Sequence, residues 1–191
     1  WVPLTRDALG DFFKHRLPWQ TMQPIWDRGF LLALGGFDEA FSRHQDVELH
    51  TRALLSPAVR YRLRDTEPDC HYRIAEERKV LDPRRLLRGF AESAVRYRLK
   101  FLADAERLHR SGLLLGIVHR TYLQMLLHAK LGSIDAATLR DLEDTLFPQE
   151  LTSRLPRMKR ILFRITRWYN LLPVRLPGVN LLLFRLITAG H

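Results

Sequence analysis

One apolar stripe of helical period, between residues 82 and 110, constrains the fold of this chain most. Asp82 and Pro83 form a pair typical of a helix N-cap followed by the first helical position. Apolar side chains then recur every three or four residues, at Leu86, Phe90, Ala94, Tyr97, Phe101, Ala105 and Leu108. This spacing puts them on one face of a long amphipathic helix. The sequence therefore predicts a helix that ends near Arg110.

Two more helices are predicted after this one. Residues 113–131 are apolar on nearly every side, which indicates a helix buried between neighbours or against lipid. Gly132 and Ser133 end it, and residues 136–146 follow with an acidic polar side. Because short connections favour antiparallel packing, the segment 82–150 is predicted to be a helical bundle.

The stretch from Pro18 to Leu55 holds the densest cluster of aromatic residues. Apolar residues recur at helical spacing until Gly35 and Gly36, which end that helix because glycine adopts the left-handed conformation without a Cβ clash. Polar residues then lead to Asp46, placed as an N-cap for a helix over 47–55. A carboxylate at such a junction suits catalysis, and it equally suits an ordinary cap.

The same stretch contains a family-like motif. Gly35-Gly36-Phe37-Asp38-Glu39 is followed by a short loop and then by Arg43-His44-Gln45-Asp46-Val47-Glu48-Leu49 and Arg52. This order and spacing resemble the acceptor-side segment of family 2 glycosyltransferases of the GT-A type, over residues 19–79. Many members of that family have Glu at the position of Gln45.

The resemblance implies a fold and a reaction. Residues 1–81 would form the acceptor-side part of a GT-A-type α/β nucleotide-sugar transferase fold, so the fold class is expected to be α+β, predominantly α. Asp46 would act as the general base in an inverting transfer from a nucleotide-diphosphate sugar to a carbohydrate or lipid-linked acceptor. Mg²⁺ or Mn²⁺ is expected in the intact enzyme. No Asp-x-Asp pair occurs in this chain, so the ligands of the metal are expected mostly outside it, in a longer protein. The present chain would then be inactive alone.

Four residues near Asp46 are predicted to bind the acceptor. Gln45 and His44 precede the base directly. Trp26 and Trp19 are candidates for a flat apolar wall against a sugar ring, a common use of aromatic side chains in binding pockets. A place in the hydrophobic core is the alternative for both tryptophans.

Two further candidate ligands accompany two predicted strands. Residues 59–64 alternate apolar and basic side chains, which predicts a half-buried strand, and residues 70–74 suggest a second one. Arg73 is a candidate for binding the donor phosphate, because a guanidinium can fork onto phosphate oxygens. A solvated surface position is the alternative. By the resemblance, His71 is a candidate metal ligand.

The segment 151–191 is the second informative part of the sequence. Basic residues fall on one helical face of this segment. The opposite face is apolar and consists of Met158, Ile161, Leu162, Ile165, Trp168, Tyr169 and Leu172. This pattern is typical of a helix lying in a membrane surface, and a bundle helix with a charged outer face is the alternative. Residues 179–189 predict a short apolar helix that cannot span a bilayer unaided.

The net charge of +10 indicates an anionic partner. The candidates are a sugar-nucleotide diphosphate, an anionic inner membrane surface and nucleic acid. Nucleic acid is the least favoured, because the basic residues are spread over several helices without a reading motif. The single cysteine, Cys70, fits a reducing compartment, so a cytoplasmic enzyme, peripheral on the inner face of the membrane, is expected. The alternative is a non-enzymatic basic helical module that binds anionic membrane or nucleic acid.

Overall fold

The computed structural model describes residues 6–63, 82–174 and 176–189, and within these ranges the chain forms helices and no β-strand. In chain order the α-helices are α1 Ala8–Phe13, α2 Arg28–Ala33, α3 Gln45–Leu55, α4 Pro83–Arg107, α5 Leu115–Lys130, α6 Ala136–Leu146, α7 Gln149–Ser153, α8 Arg157–Leu171 and α9 Val179–Thr188. A 3-10 helix, Ser111–Leu114, leads directly into α5.

The signals at Asp82, Pro83, Gly35 and Gly36 produce the helix ends that they predict. The Asp82 side chain accepts a hydrogen bond from the backbone N–H of Arg84 at 3.0 Å, and Pro83 opens α4. Gly35 and Gly36 follow α2 with φ of 82° and 67°, values that an L residue with a Cβ rarely adopts. Helix α6 has the predicted bounds, whereas α4 ends at Arg107, slightly earlier than predicted.

Helix α5 is the centre of the molecule. It packs against α1, α4, α6, α8 and α9, so of the two predicted surroundings, neighbouring helices or lipid, the structure shows neighbouring helices. One hydrophobic cluster runs through the protein and includes Phe12, Tyr97 and Ile187, one residue from each of the three predicted segments 1–81, 82–150 and 151–191. The elements that carry the site are therefore packed on the same core as the C-terminal helices.

The prediction of an α+β chain with a GT-A-type α/β portion is wrong for the described residues. Residues 59–63 are irregular, and the described part of the chain contains no strand that could pair with them. The N–H of Val59 donates to Ser56 O in a turn, and the Arg60 guanidinium donates to the carbonyls of Pro57 and Val59. Alternating hydropathy fits the two faces of a strand. A strand also needs a neighbouring strand to hydrogen-bond its backbone groups, and the alternation does not supply one. The second predicted strand, at 70–74, lies outside the described residues.

The two C-terminal helices form where they were predicted, as α8 and α9. Gly178, with φ of 81°, separates α9 from the preceding turn. None of the helices within the described ranges combines the length and the apolar content that crossing a bilayer requires.

Candidate functional site

Asp46 lies inside the first turn of α3 and is not its N-cap. The helix begins at Gln45, and His44 occupies the N-cap position. One carboxylate oxygen of Asp46, Oδ2, accepts a hydrogen bond from the Thr21 hydroxyl at 2.9 Å, and Oδ1 accepts from the N–H of Val47 at 2.9 Å. A negative charge in the first turn is stabilised by the helix dipole. The side chain therefore connects α3 to Thr21, and each of its oxygens keeps a lone pair that can accept another hydrogen bond.

The Asp46 carboxylate borders an open cleft of about 570 Å³. The cleft is lined by side chains from three consecutive parts of the N-terminal region: Thr21, Phe37, Asp38, Glu39, Phe41, Gln45 and Asp46. Phe37 is half exposed, whereas Phe41 is buried beneath it in the core. The structure thus brings Gln45 and Asp46 together with the Gly-Gly-Phe-Asp-Glu loop. Sequence reasoning missed Thr21 and Phe37 as site residues, although Phe37 belongs to the motif that carried the resemblance.

A buried ionic network fixes the loop that forms one wall of this cleft. The fully buried Glu48 carboxylate accepts hydrogen bonds from Arg52 Nε at 2.7 Å and Nη2 at 2.8 Å, and pairs with Lys100 Nζ at 2.7 Å. Arg52 also donates to the carbonyls of Leu34 and Gly36, the latter at 2.7 Å. The Arg52 guanidinium therefore links helix α3 to the backbone of the glycine turn.

The loop is held from α4 as well. Lys100 Nζ donates to Asp38 Oδ2 at 2.6 Å, and the N–H of Ala40 donates to Asp38 Oδ1 at 3.0 Å. These bonds, the one from Lys100 foremost, lower the pKa of the Asp38 carboxyl. Asp38 is thus engaged in holding the loop, and Glu39 and Asp46 are the cleft carboxylates without a cationic partner among the described residues.

His44 lies beneath the cleft and does not line it. Its backbone is left-handed, with φ of 59° and ψ of 24°, a costly conformation for a residue with a Cβ. Its ring packs 4.7 Å from the ring of His15 and 5.2 Å from that of Phe90. Burial lowers the pKa of His44 to about 4, against an opposing effect of the nearby Asp46 charge. The predicted acceptor ligand is therefore a neutral, buried ring at neutral pH.

The two predicted tryptophans lie on either side of His50, one turn beyond Asp46 on α3. The indole of Trp26 is stacked on the His50 ring at 5.7 Å and 4°, and Trp19 meets that ring edge-on at 5.8 Å. Burial lowers the pKa of His50 to about 4. Neither tryptophan is among the residues that line the cleft, and their role in acceptor binding stays a prediction.

The remaining predicted ligands are not placed. Arg73 and His71 lie between residues 64 and 81, outside the described residues. Within the parts of the chain that the structure does describe, no three histidine, cysteine, aspartate or glutamate side chains converge to hold a metal ion. The expected Mg²⁺ or Mn²⁺ stays a prediction.

The chain was compared with protein-family models, with curated proteins and with solved structures, and none of the three comparisons gave a match. The geometry of the cleft and the motif that forms it are therefore the guides to function.

Proposed function

We propose that the cleft binds the acceptor of a sugar transfer and that Asp46 is the general base of the reaction. One observation carries the proposal: a carboxylate without a cationic partner stands at the edge of an open cleft, and the hydroxyl of Thr21 orients it at 2.9 Å. The motif that resembles family 2 glycosyltransferases forms both this carboxylate and the opposite wall.

The cleft has the size and the chemistry that a sugar needs. Its volume of about 570 Å³ lies within the ~300–1,000 Å³ that small-molecule sites occupy. Phe37 offers a half-exposed aromatic face to the C–H side of a sugar ring. Glu39, Gln45 and Asp46 offer oxygens that accept hydrogen bonds from sugar hydroxyls.

The proposed step is a single displacement. A carboxylate oxygen of Asp46 takes the proton of the acceptor hydroxyl while the hydroxyl oxygen forms a bond to the anomeric carbon of the donor. The bond from that carbon to the nucleotide diphosphate breaks, and its electron pair leaves with the phosphate oxygen. Attack from the side opposite the leaving group inverts the anomeric configuration.

The buried network below the cleft supports this assignment because it makes the geometry rigid. Asp46 and Glu48 belong to the same turn of α3, and Glu48 fixes Arg52, which holds the Gly36 carbonyl at 2.7 Å. The distance between the base and the opposite wall is therefore set by buried contacts. A base must stay within hydrogen-bond reach of its proton to be effective.

Asp46→Asn, made in the protein expressed from its natural gene, tests the assignment. Transfer is measured from radiolabelled UDP-glucose, UDP-galactose, UDP-N-acetylglucosamine and GDP-mannose to a lipid and glycan extract of the source cells. The amide has the shape of the carboxylate: its oxygen can accept from the N–H of Val47 while its NH2 group donates to the Thr21 hydroxyl oxygen, so folding should be preserved. Loss of the base is expected to lower kcat by about a hundredfold or more.

Asp104→Asn is the matched control, because Asp104 is a carboxylate on α4 whose ion pair, within the described part of the chain, is with the neighbouring Arg107. It should transfer sugar at the wild-type rate. Turnover of Asp46→Asn within a factor of about two of wild type would overturn the base assignment. Absence of transfer by the wild-type protein from all four donors would favour the non-catalytic helical module instead.

A further inference from the structure

The charge of the protein is concentrated at its C-terminal end. Residues 151–191 contain eight lysines and arginines and no aspartate or glutamate. Only two of these cations have partners within the described residues: Lys159 donates to the carbonyls of Leu186 and Ala189, and Arg167 pairs with Glu143 on α6. Arg157, Arg160 and Arg164 are exposed on α8 without an ion pair among the described residues. Among the described residues, this charge therefore has no carboxylate partner.

Exposed apolar surface is concentrated in the same place. Ten of the twenty large apolar side chains that are exposed among the described residues lie between 158 and 189. Four of them follow one line along α8, with exposed fractions of 40–66%: Met158, Ile161, Ile165 and Trp168. On α9 the exposed members are Leu181, Leu182 and Leu186. An apolar concentration of this kind marks an interaction surface.

The structure divides the apolar face that the sequence predicted for α8. Leu162 and Tyr169 turn into the core together with Phe163, while the line from Met158 to Trp168 stays outside. At 3.6 residues per turn, Arg157, Arg160 and Arg164 stand about a quarter turn from that line. Exposed apolar and basic stripes therefore run side by side along one helix.

We propose that α8 and α9, together called the C-terminal helix pair, lie on the surface of a bilayer that contains anionic lipids. The apolar side chains enter the boundary between headgroups and acyl chains, with Trp168 at the depth that tryptophan prefers. Arg157, Arg160 and Arg164 contact lipid phosphates beside them. This inference does not depend on whether Asp46 is catalytic.

A lipid surface fits both stripes better than nucleic acid does. Phosphates of either partner can pair with the arginines, but only a lipid surface takes the aliphatic side chains of Met158, Ile161 and Ile165 out of water. A second copy of the chain could cover the apolar line as well, but it would bring its own arginines against those of the first. The charge therefore selects an anionic surface.

Flotation of the full chain with vesicles tests the proposal. We expect binding to vesicles of phosphatidylglycerol and phosphatidylcholine, and little binding to phosphatidylcholine alone. Replacing Arg157, Arg160 and Arg164 together by glutamine should weaken binding by about a hundredfold, at roughly fivefold per cation. Trp168→Ser should weaken it through the apolar contact. All four side chains are exposed, so circular dichroism should show an unchanged helix content.

Leu99→Ser is the matched control, because Leu99 is an exposed leucine on α4, outside the C-terminal helix pair. It should float like wild type. Failure of the wild type to float would overturn the proposal, as would undiminished binding by the triple glutamine variant. Tighter binding to duplex DNA than to the vesicles would assign the arginines to nucleic acid. A dimer in sedimentation equilibrium that Trp168→Ser dissociates would assign the apolar line to self-association.

Discussion

The cleft region, α1 to α3 with its glycine loop, and the C-terminal helix pair handle charge in opposite ways. Residues 1–81, which include the cleft region, contain twelve lysines and arginines against twelve aspartates and glutamates, whereas residues 151–191 contain eight and none. At the cleft, the cations Arg52 and Lys100 meet on the buried Glu48. In the C-terminal pair the arginines face outward. Internal pairing gives the first region a fixed geometry, whereas Arg157, Arg160 and Arg164, without an ion pair among the described residues, give the second a surface for a partner.

The largest expected effect comes from removing the carboxylate on which the cleft region depends. Glu48→Ala leaves Arg52 and Lys100 without their shared buried partner and frees the loop that Arg52 holds. Breaking a buried ion pair costs about 3–5 kcal/mol, and the lower end applies because both cations are partly exposed. Urea unfolding should show a loss of about 3 kcal/mol.

Asp141→Ala is the control for this variant. It removes an ion pair with Arg88 that is about half exposed on both sides, and such pairs contribute less than about 1 kcal/mol. Equal losses for the two variants would contradict the view that burial makes the Glu48 network important.

Two buried histidines provide the second comparison, because His50 belongs to the cleft region and His119, on α5, packs against the C-terminal helix pair. His50 is enclosed by Trp19 and Trp26, and His119 packs against Phe163 of α8 and Phe184 of α9. Burial lowers the pKa of both rings to about 4. Each therefore adds stability above the unfolded-state pKa of about 6.5, and this stability is lost as the pH falls from there towards 4.

Replacing either histidine by glutamine should flatten the pH dependence of unfolding. Between about pH 7 and about pH 5 the wild type should lose about 2 kcal/mol for each buried ring, and each variant should lose that much less. The measurement is the change in urea unfolding free energy between the two pH values. The nearby Asp46 charge partly offsets the effect of burial at His50, whereas Arg120 adds to it at His119. An unchanged pH dependence in either variant would contradict the burial of that ring as a neutral imidazole.

The sequence predicts local features of the structure better than contacts between distant residues. Asp82, Pro83 and Gly35 act on their own neighbours, so the helix ends they specify were predicted correctly. The strand at 59–64 was wrong because alternation cannot reveal a missing partner strand. Distant contacts explain the rest: Thr21 reaches Asp46 across 25 residues. The division of the α8 apolar face depends on α5 and α9, which pack against α8.

The smallest expected effect tests the one buried cation of the C-terminal helix pair. Lys159 is almost fully buried, and its Nζ donates to Leu186 O at 2.7 Å and to Ala189 O at 2.9 Å. These carbonyls belong to the last turn of α9, where the backbone lacks helical donors. Burial lowers the pKa of Lys159. The region thus satisfies its buried charge with backbone carbonyls, whereas the cleft region uses a carboxylate.

Lys159→Met keeps the length of the buried stem and removes both hydrogen bonds. The lost bonds destabilise the end of α9, but removal of a buried ammonium offsets part of that loss. A net loss of about 1 kcal/mol in urea unfolding is expected. Lys130→Met is the control, because the exposed Lys130 also donates to a carbonyl, that of Leu172 at 2.6 Å, and should cost less than about 0.5 kcal/mol. A Lys159→Met protein more stable than wild type would mean that burial of the ammonium outweighs its two bonds. The buried Lys159 would then destabilise the C-terminal helix pair, whereas the buried Glu48 stabilises the cleft region. The two buried charges would differ in their effect on stability as well as in the groups that they bind.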